Sequence, residues 1–335
     1  MECGDGEKEI DLSIFDEPSL VPLGAVGERY WSALGEIARP PSNDEVSFLH
    51  VLFAHTGMPH KEHPFGQPYQ RRNGSVYLGL TPGYLMNPET KKLELQGLPY
   101  GPLPRLIMLY ICNEAKRSNC AKVDMNRSMT SFLREDLMVN TSGGPRGGIT
   151  SFKRQMNRVA ATPITIGMTY LTDRGRTGVA THKPNPAIIQ YKVWDEDSLV
   201  DKPMWNTEVT LSPEFFEGVI HHSIPLDVRA IHALRSSSMG LDVYFNLAQR
   251  LVRMRDGEVQ LVTWQQLRDQ FAPEYSEIKR FKFAFSELLA RVLRVYPEAN
   301  VTEVAGGLEF RRSKPPVPVI ASRRSIRAKI STSRL

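Results

Sequence analysis

TSGGPRGGITSFKRQMNRV, running from Thr141 to Val159, sets four glycines around Arg146 and then opens a basic stretch with helical spacing. Two chemistries fit such a beginning. A phosphate-cradling loop of the form G-x-x-x-x-G-K-[ST] holds a nucleotide on backbone amides and brings a lysine to the β/γ oxygens. Gly143 and Gly148 have that spacing and Thr150 fills the hydroxyl slot, but Ile149 stands where the lysine belongs. That slot supplies no cation to neutralise a triphosphate, and no strongly apolar strand leads into the loop. The segment that follows favours the second chemistry. Ile149, Phe152, Met156 and Val159 recur at helical spacing as one apolar stripe, while Ser151, Lys153, Arg154, Asn157 and Arg158 project elsewhere. Arginine pairs bidentately with guanine and asparagine with adenine in a major groove, so this face can read bases as well as hold phosphates. A basic helical face is also an ordinary solvated surface, and its neighbours must decide.

Upstream, GLPYGPLPRLIMLYICNEAKRS predicts a helix opened by Pro102 and Pro104, with Leu106, Leu109, Ile111 and Cys112 buried and basic residues at its C-terminus. A second helix is expected at Ser128 to Met138, with Ser128 as N-cap. Downstream, PITIGMTYL and NPAIIQYKVW alternate as two strands joined by TDRGRTGVATHKP, a mobile basic loop carrying Arg174 and Arg176. Three helices followed by a two-stranded wing is the order of a winged-helix module, a helix-turn-helix variant that binds DNA.

The order then recurs without a sequence repeat. Helices are predicted at Pro213 to His222, Leu226 to Arg235, Met239 to Met254, Thr263 to Phe271 and Ser276 to Tyr296, followed by the hairpin NVTEVAGGLEFRR turning at Gly306-Gly307. Thr263 and Gln266 have capping-box spacing. In the long last helix Ile278, Phe281, Phe285, Leu288 and Val292 form the stripe, and Lys279, Arg280 and Lys282 lie off it near the N-terminal end, the part that enters the groove in helix-turn-helix modules. Arg311 and Arg312 close the hairpin. Ahead of all this, strand-like runs between Ser47 and Leu95 predict a small sheet.

The fold expected is therefore α+β, with two winged-helix domains in tandem and flexible tails. We divide the chain into an acidic tail at 1–45, a first winged-helix domain with its preceding sheet at 46–212, a second at 213–312, and a basic disordered tail at 313–335. The formal charge of +5 over 335 residues conceals an asymmetry: the first twenty residues hold seven acids against Lys8, and the last twenty-five hold eight bases and no acid. In the basic tail, Arg323, Arg324, Arg327 and Lys329 would add sequence-independent phosphate contacts. Cys3, Cys112 and Cys120 offer no disulfide or zinc framework. No apolar run approaches the roughly 18 residues of a membrane span, and the acidic start lacks the basic and apolar regions of a secretion signal. A cytoplasmic location is expected, with no membrane partner.

GLPYGPLPRLIMLYICNEAKRSN, SMTSFL, SGGPRGGITSFKRQMNRV, HHSIPLDVRAIHAL, LDVYFNLAQRL and ELLARVLRVYPEANV, in that order and spacing, resemble the plasmid-encoded RepA replication initiators over about residues 73–312. The resemblance implies a protein that binds direct repeats (iterons) in the double-stranded DNA of a plasmid origin, helps to open it, and recruits the host initiator and replicative helicase. It also implies a monomer–dimer equilibrium, with dimers repressing the initiator's own promoter. The family's Gly-rich turn falls on Gly143, Gly144 and Gly147, where positive φ and close backbone approach are expected, and its basic helix falls on Arg154, Gln155, Met156 and Arg158. The segments before that turn, KVDMN and EDLMV, depart from the family's glycines and leucine. Candidate DNA contacts are Arg146, Lys153, Arg154, Asn157, Arg158, Arg174, Arg176, Lys279, Arg280, Lys282, Arg311 and Arg312. Within the acidic tail, Asp11 followed by Leu12, Ser13, Ile14 and Phe15 resembles the peptide that binds the bacterial sliding clamp, with Asp11 where that peptide carries glutamine.

Enzymatic alternatives lack their residues. His60 and His63 have no carboxylate or cysteine set beside them in sequence to complete a metal site. Rolling-circle initiators need a His-x-His pair, which does not occur in the chain. Asp195-Glu196-Asp197 could hold a polymerase-type metal pair but sits in a polar stretch after a strand. No catalytic residue and no cofactor are assigned. The rival reading is a winged-helix transcriptional repressor that leaves the duplex closed.

Overall fold

The structure is a computed structural model and describes residues 34–87, 90–125, 127–128, 132–136, 147–171, 177–195 and 204–318. Glycine and proline set its first long helix. Gly101, with φ +79°, takes a backbone conformation closed to most side chains, Pro102 follows at the first helical position, and α2 runs Pro102–Ser118. It stops at Asn119, which adopts the left-handed conformation and returns its N–H to Ala115. Leu106, Leu109, Ile111 and Cys112 are buried as expected. The short helix α1 (Leu52–His55) precedes it.

After α2 come β6 (Lys122–Asp124), β7 (Arg127–Ser128), a π-helical turn at Phe132–Asp136, α3 (Gly148–Ala161), and the strands β10 (Ile188–Asp195) and β11 (Met204–Leu211). β11 lies between β10 and β6, all antiparallel. The second half repeats the plan: α6 (Ser238–Arg253), β13 (Val259–Thr263), α7 (Trp264–Phe271), α8 (Ile278–Val295), then β14 (Val301–Val304) and β15 (Gly307–Arg311). Here β15 lies between β13 and β14. The last strand thus pairs with the first in both units. The capping box at Thr263 forms in both directions, the hydroxyl accepting from the Gln266 N–H and the Gln266 side chain accepting from the Thr263 N–H.

Several expectations change. Instead of one small sheet, residues 47–95 contribute to three. β1 (Val46–His50) pairs with β12 (Ser223–Asp227), which follows α4 (Pro213–His222). β2 (Tyr69–Asn73) and β3 (Val76–Leu80) join β8 (Pro163–Leu171) and β9 (Thr177–Pro186), and β4 (Tyr84–Met86) pairs with β5 (Leu93–Leu95) as a separate hairpin. PITIGMTYL therefore partners Thr177–Pro186, expected as loop as far as Pro184, while Ile188 onward of NPAIIQYKVW supplies β10 and pairs with β11. Thr177–Pro186 follows β8 closely in sequence and folds back on it as the nearest strand. The helix expected from Leu226 begins only at Val228 (α5, Val228–Leu234), because the Asp227 carboxylate accepts the Arg229 N–H and caps it there. The helix expected at Ser128 to Met138 is a strand and a π turn as far as the described residues go.

One apolar cluster runs from Leu49 through Leu106, Phe152, Leu226, Tyr244 and Phe285 to Phe310. The β1–β12 pair and this shared core both cross the boundary drawn at 212/213.

Candidate nucleic-acid interface

α3 buries Phe152, Met156 and Val159, with Ile149 partly buried beside them, which is the stripe read from the sequence. Its N-cap residue Gly147 has φ −72° and ψ 162°, extended backbone rather than the left-handed turn expected of it. Gly143, Gly144 and Arg146 lie outside the described residues, as do Arg174, Arg176, Leu12, Ser13, Ile14 and Phe15.

The polar side of α3 divides in two. Lys153 and Arg154 are exposed and make no ion pair among the described residues. Asn157 and Arg158 are engaged within the protein. The Tyr191 hydroxyl on β10 donates to Asn157 Oδ1 at 3.1 Å. Arg158, with 11 % of its side chain exposed, donates from Nη2 to Glu62 Oε1 at 2.6 Å and from Nη1 to the Leu98 carbonyl at 3.3 Å. Its guanidinium carbon also stands 5.1 Å from the centre of the Tyr100 ring. The buried Gln155 accepts the Tyr100 N–H at 3.0 Å. A Cβ on Gly97 would stand 3.1 Å from the Arg158 guanidinium carbon, so the glycine leaves room for the arginine. GLPY and RQMNR are therefore one physical unit, in which the loop before α2 is strapped to the far half of α3.

α8 buries Phe281, Phe285, Leu288 and Val292 and leaves Ile278, at its first turn, 40 % exposed. Lys279 is exposed and forms no ion pair among the described residues. Arg280 pairs with Glu277 at 3.1 Å, both well exposed, a weak tie in water. Lys282 sits 3.2 Å from Glu303 and 4.9 Å from the centre of the Trp264 ring, which holds it toward the hairpin. Arg311 pairs with Glu309 at 3.1 Å and Arg312 with Asp256 at 2.5 Å. The sequence reading passed over Phe283, which is 69 % exposed and stands one helical turn from Lys279 and Arg280. Its signal was present: Phe283 falls off the spacing that joins Phe281 to Phe285.

The histidines do not converge. His60 Nδ1 lies 2.9 Å from Ser238 Oγ and its Nε2 2.5 Å from the Phe271 carbonyl, whereas His63 reaches Pro68 O. Among the described residues no group of three His, Cys, Asp or Glu side chains is placed to hold a metal ion. No helix among them is long and apolar enough to cross a membrane.

Residues 98–266, from the GLPY strap through the first unit and into α7 of the second, match the plasmid-encoded RepA proteins. The chain belongs to the plasmid-encoded RepA family. The match spans half of this RepA-family chain and takes in α3, and it ends before α8. No curated protein matches it. Among solved structures it is similar to a crystal structure of RctB domains 2 and 3, with a TM-score of 0.46 and 12% identity over 78% of this chain and 94% of that one. A selenomethionine derivative of the same two RctB domains gives 0.45 and 11%, over 78% and 96%.

Proposed function

We propose that this RepA-family protein is a plasmid replication initiator that binds repeated origin DNA through two winged-helix units, promotes opening of the duplex and recruits the host initiator and helicase in the cytoplasm. The observation that carries the reading is the repeated plan. With β7 and the inserted β8–β9 pair set aside, α2, β6, the π turn, α3, β10 and β11 recur as α6, β13, α7, α8, β14 and β15, with the last strand central in each sheet. In such a unit the third helix enters the major groove. That role falls to α3 and α8, and each of these presents cations to solvent: Lys153 and Arg154 on one, Lys279 and Arg280 on the other. Two reading helices on one chain suit DNA in which short elements recur.

We assign base reading on α3 to Arg154 and Lys153, and leave Arg158 to hold the helix on its strap and Asn157 to hold it on β10. Arg146, Arg174, Arg176, Lys282, Arg311 and Arg312 then serve the phosphate backbone, where charge matters more than register. Leu12 to Phe15 remain the candidate clamp-binding peptide. No catalytic step is assigned, and nicking or nucleotide incorporation by the purified protein would refute that.

Footprinting on the parent plasmid at near-physiological salt, with a probe for unpaired bases, tests the reading. Regularly spaced protection over direct repeats with melting of an adjacent A·T-rich segment is expected. A single protected palindrome without melting identifies a repressor instead, and absence of specific protection overturns both.

A further inference from the structure

A groove of about 430 Å³ lies between α2 and α5. Its floor is apolar, formed by Leu106 and Leu109 from α2 and by Val228 and Ile231 from α5. Its rim is acidic. Glu36 and Asp44 precede β1 and Glu135 sits on the π turn; all three are exposed and form no ion pair among the described residues. Arg229, which also lines the groove, is matched by Asp227 at 2.7 Å, and Arg39, beside it, by Glu45 at 2.5 Å. Ser47 of β1 opens into the same space. It is 5 % exposed, and its hydroxyl has no hydrogen-bond partner among the described residues. A concave site with an apolar floor, an unpartnered hydroxyl and a negative rim suits a basic segment with apolar anchors, and repels nucleic acid.

The C-terminal segment of the same chain has that composition and leaves the fold next to the groove. Ser313 donates its N–H to the Leu251 carbonyl, the Tyr296 hydroxyl donates to the Lys314 carbonyl at 2.7 Å, and Val317 is buried against Val46 and Phe48. Side chains alternate along β1, so Ser47, between those two, faces the groove on the other side. Lys314, Pro315, Pro316 and Pro318 line the adjoining cleft, which shares Arg229 with the groove. Beyond Pro318 seventeen residues follow, outside the described ones, with five bases and no acid. Among them Ile326 and Ile330 stand four apart, the spacing of one helical face, with Arg323, Arg324, Arg327 and Lys329 around them.

We propose that the groove between α2 and α5 is the docking site of the chain's own C-terminal segment, with Ile326 and Ile330 on the apolar floor and the bases around them against Glu36, Asp44 and Glu135. Connection selects this occupant over a basic segment of another protein. The four residues from Val319 to Ser322 span up to about 14 Å, enough to cross the wall that the two clefts share. A tether this short holds the segment at a millimolar effective concentration, so weak surface ion pairs and two buried isoleucines suffice to dock it. Docked there, the segment is kept from DNA phosphates, a consequence that rests on the initiator reading; the docking itself does not.

Zero-length carbodiimide cross-linking of the full chain at low salt, read by mass spectrometry, tests the docking without DNA. Lys329, the segment's single lysine, should join Glu36, Asp44 or Glu135. The link should appear in the monomeric band with a yield unchanged by about tenfold dilution, as a contact within one chain requires. Ile326→Ser with Ile330→Ser should lower that yield at least about fivefold. Glu36→Gln, Asp44→Asn and Glu135→Gln together should speed tryptic cleavage after Arg323, Arg324 and Arg327 about fivefold. Circular dichroism and urea unfolding should not change, because the three carboxylates are exposed. A segment cleaved equally fast in wild type and triple variant overturns the proposal and leaves the groove to a basic segment of another protein. So do Lys329 links scattered over other carboxylates, or links found only between chains. Loss of the initiator reading leaves each of these outcomes as it stands.

Discussion

Arg105 on α2 grips Asp242 on α6 with two parallel hydrogen bonds, Nε to Oδ1 at 2.6 Å and Nη2 to Oδ2 at 2.7 Å, both side chains almost completely out of water. The opening helix of one unit is thereby fixed to the opening helix of the other. Arg105 also donates to the carbonyls of Met58 and Gly101, and Arg71 on β2 adds a third contact to Asp242 at 3.3 Å. Burial by itself raises the Asp242 carboxyl, but the charge and hydrogen bonds of Arg105 outweigh it, helped by His60 and Arg71, and hold the group below its usual range.

Asp242→Asn should leave two buried guanidinium groups without their counter-charge. The expected cost is about 3–5 kcal/mol, measured as a fall in the urea midpoint. An unchanged midpoint would mean that water or a rearranged partner satisfies Arg105.

Stability should fall as pH drops from about 6.5 to about 4. Burial, with the charge of His222, lowers His50 to about 4, and burial, with the charge of Arg235, lowers His232 to about 4. His50 Nδ1 accepts the Leu52 N–H and its ring stacks on Phe215, so a proton there breaks a cap as well as charging a buried ring. Because the folded values are depressed, the unfolded chain binds more protons in this window and the folded state loses ground as pH falls. Unfolding midpoints at pH 7 and pH 5 measure the slope.

Arg154→Ala and Arg158→Ala should separate. The first should leave the unfolding free energy within about 0.5 kcal/mol of wild type and cost about 1–3 kcal/mol of specific DNA affinity. The second should lower stability by about 1–2 kcal/mol through loss of the Glu62 and Leu98 contacts, with DNA affinity following only as the fold loosens. Binding and unfolding measured on the same preparations distinguish them.

Phe283→Ala should weaken binding to the protected site about fivefold, as expected for loss of contact with one thymine methyl group. Replacing thymines in that site by deoxyuridine, one at a time, should reproduce the loss at one position in wild type and have no further effect there in Phe283→Ala. Additive losses at every position would place Phe283 away from the bases.

The two glycines of the last hairpin should behave oppositely. A Cβ at Gly307 would stand 2.0 Å from the Val262 carbonyl oxygen, between two paired strands that cannot part, whereas nothing lies within 4 Å of one at Gly306. Gly307→Ala should cost about 2 kcal/mol or more, and Gly306→Ala should be neutral or slightly stabilising. Thermal unfolding of the two variants checks this.

By itself the sequence determined the periodic elements and their order. The stripes Phe152-Met156-Val159 and Phe281-Phe285-Leu288-Val292, the Pro102 start of α2, the Thr263 capping box and the Gly306-Gly307 hairpin are all set by interactions within a few residues, which local spacing encodes. Tertiary structure decided everything that depends on distant partners. Strand pairing did so first, since β1 meets β12 across some 170 residues of chain and β8 meets β9 rather than β10. The fate of individual polar side chains came with it. Lys153, Arg154, Asn157 and Arg158 look alike on a helical projection, yet Glu62, Tyr100 and Tyr191 arrive from other elements to claim two of them and leave two in water. A polar side chain's helical position fixes its direction, but only the fold determines whether a partner stands there.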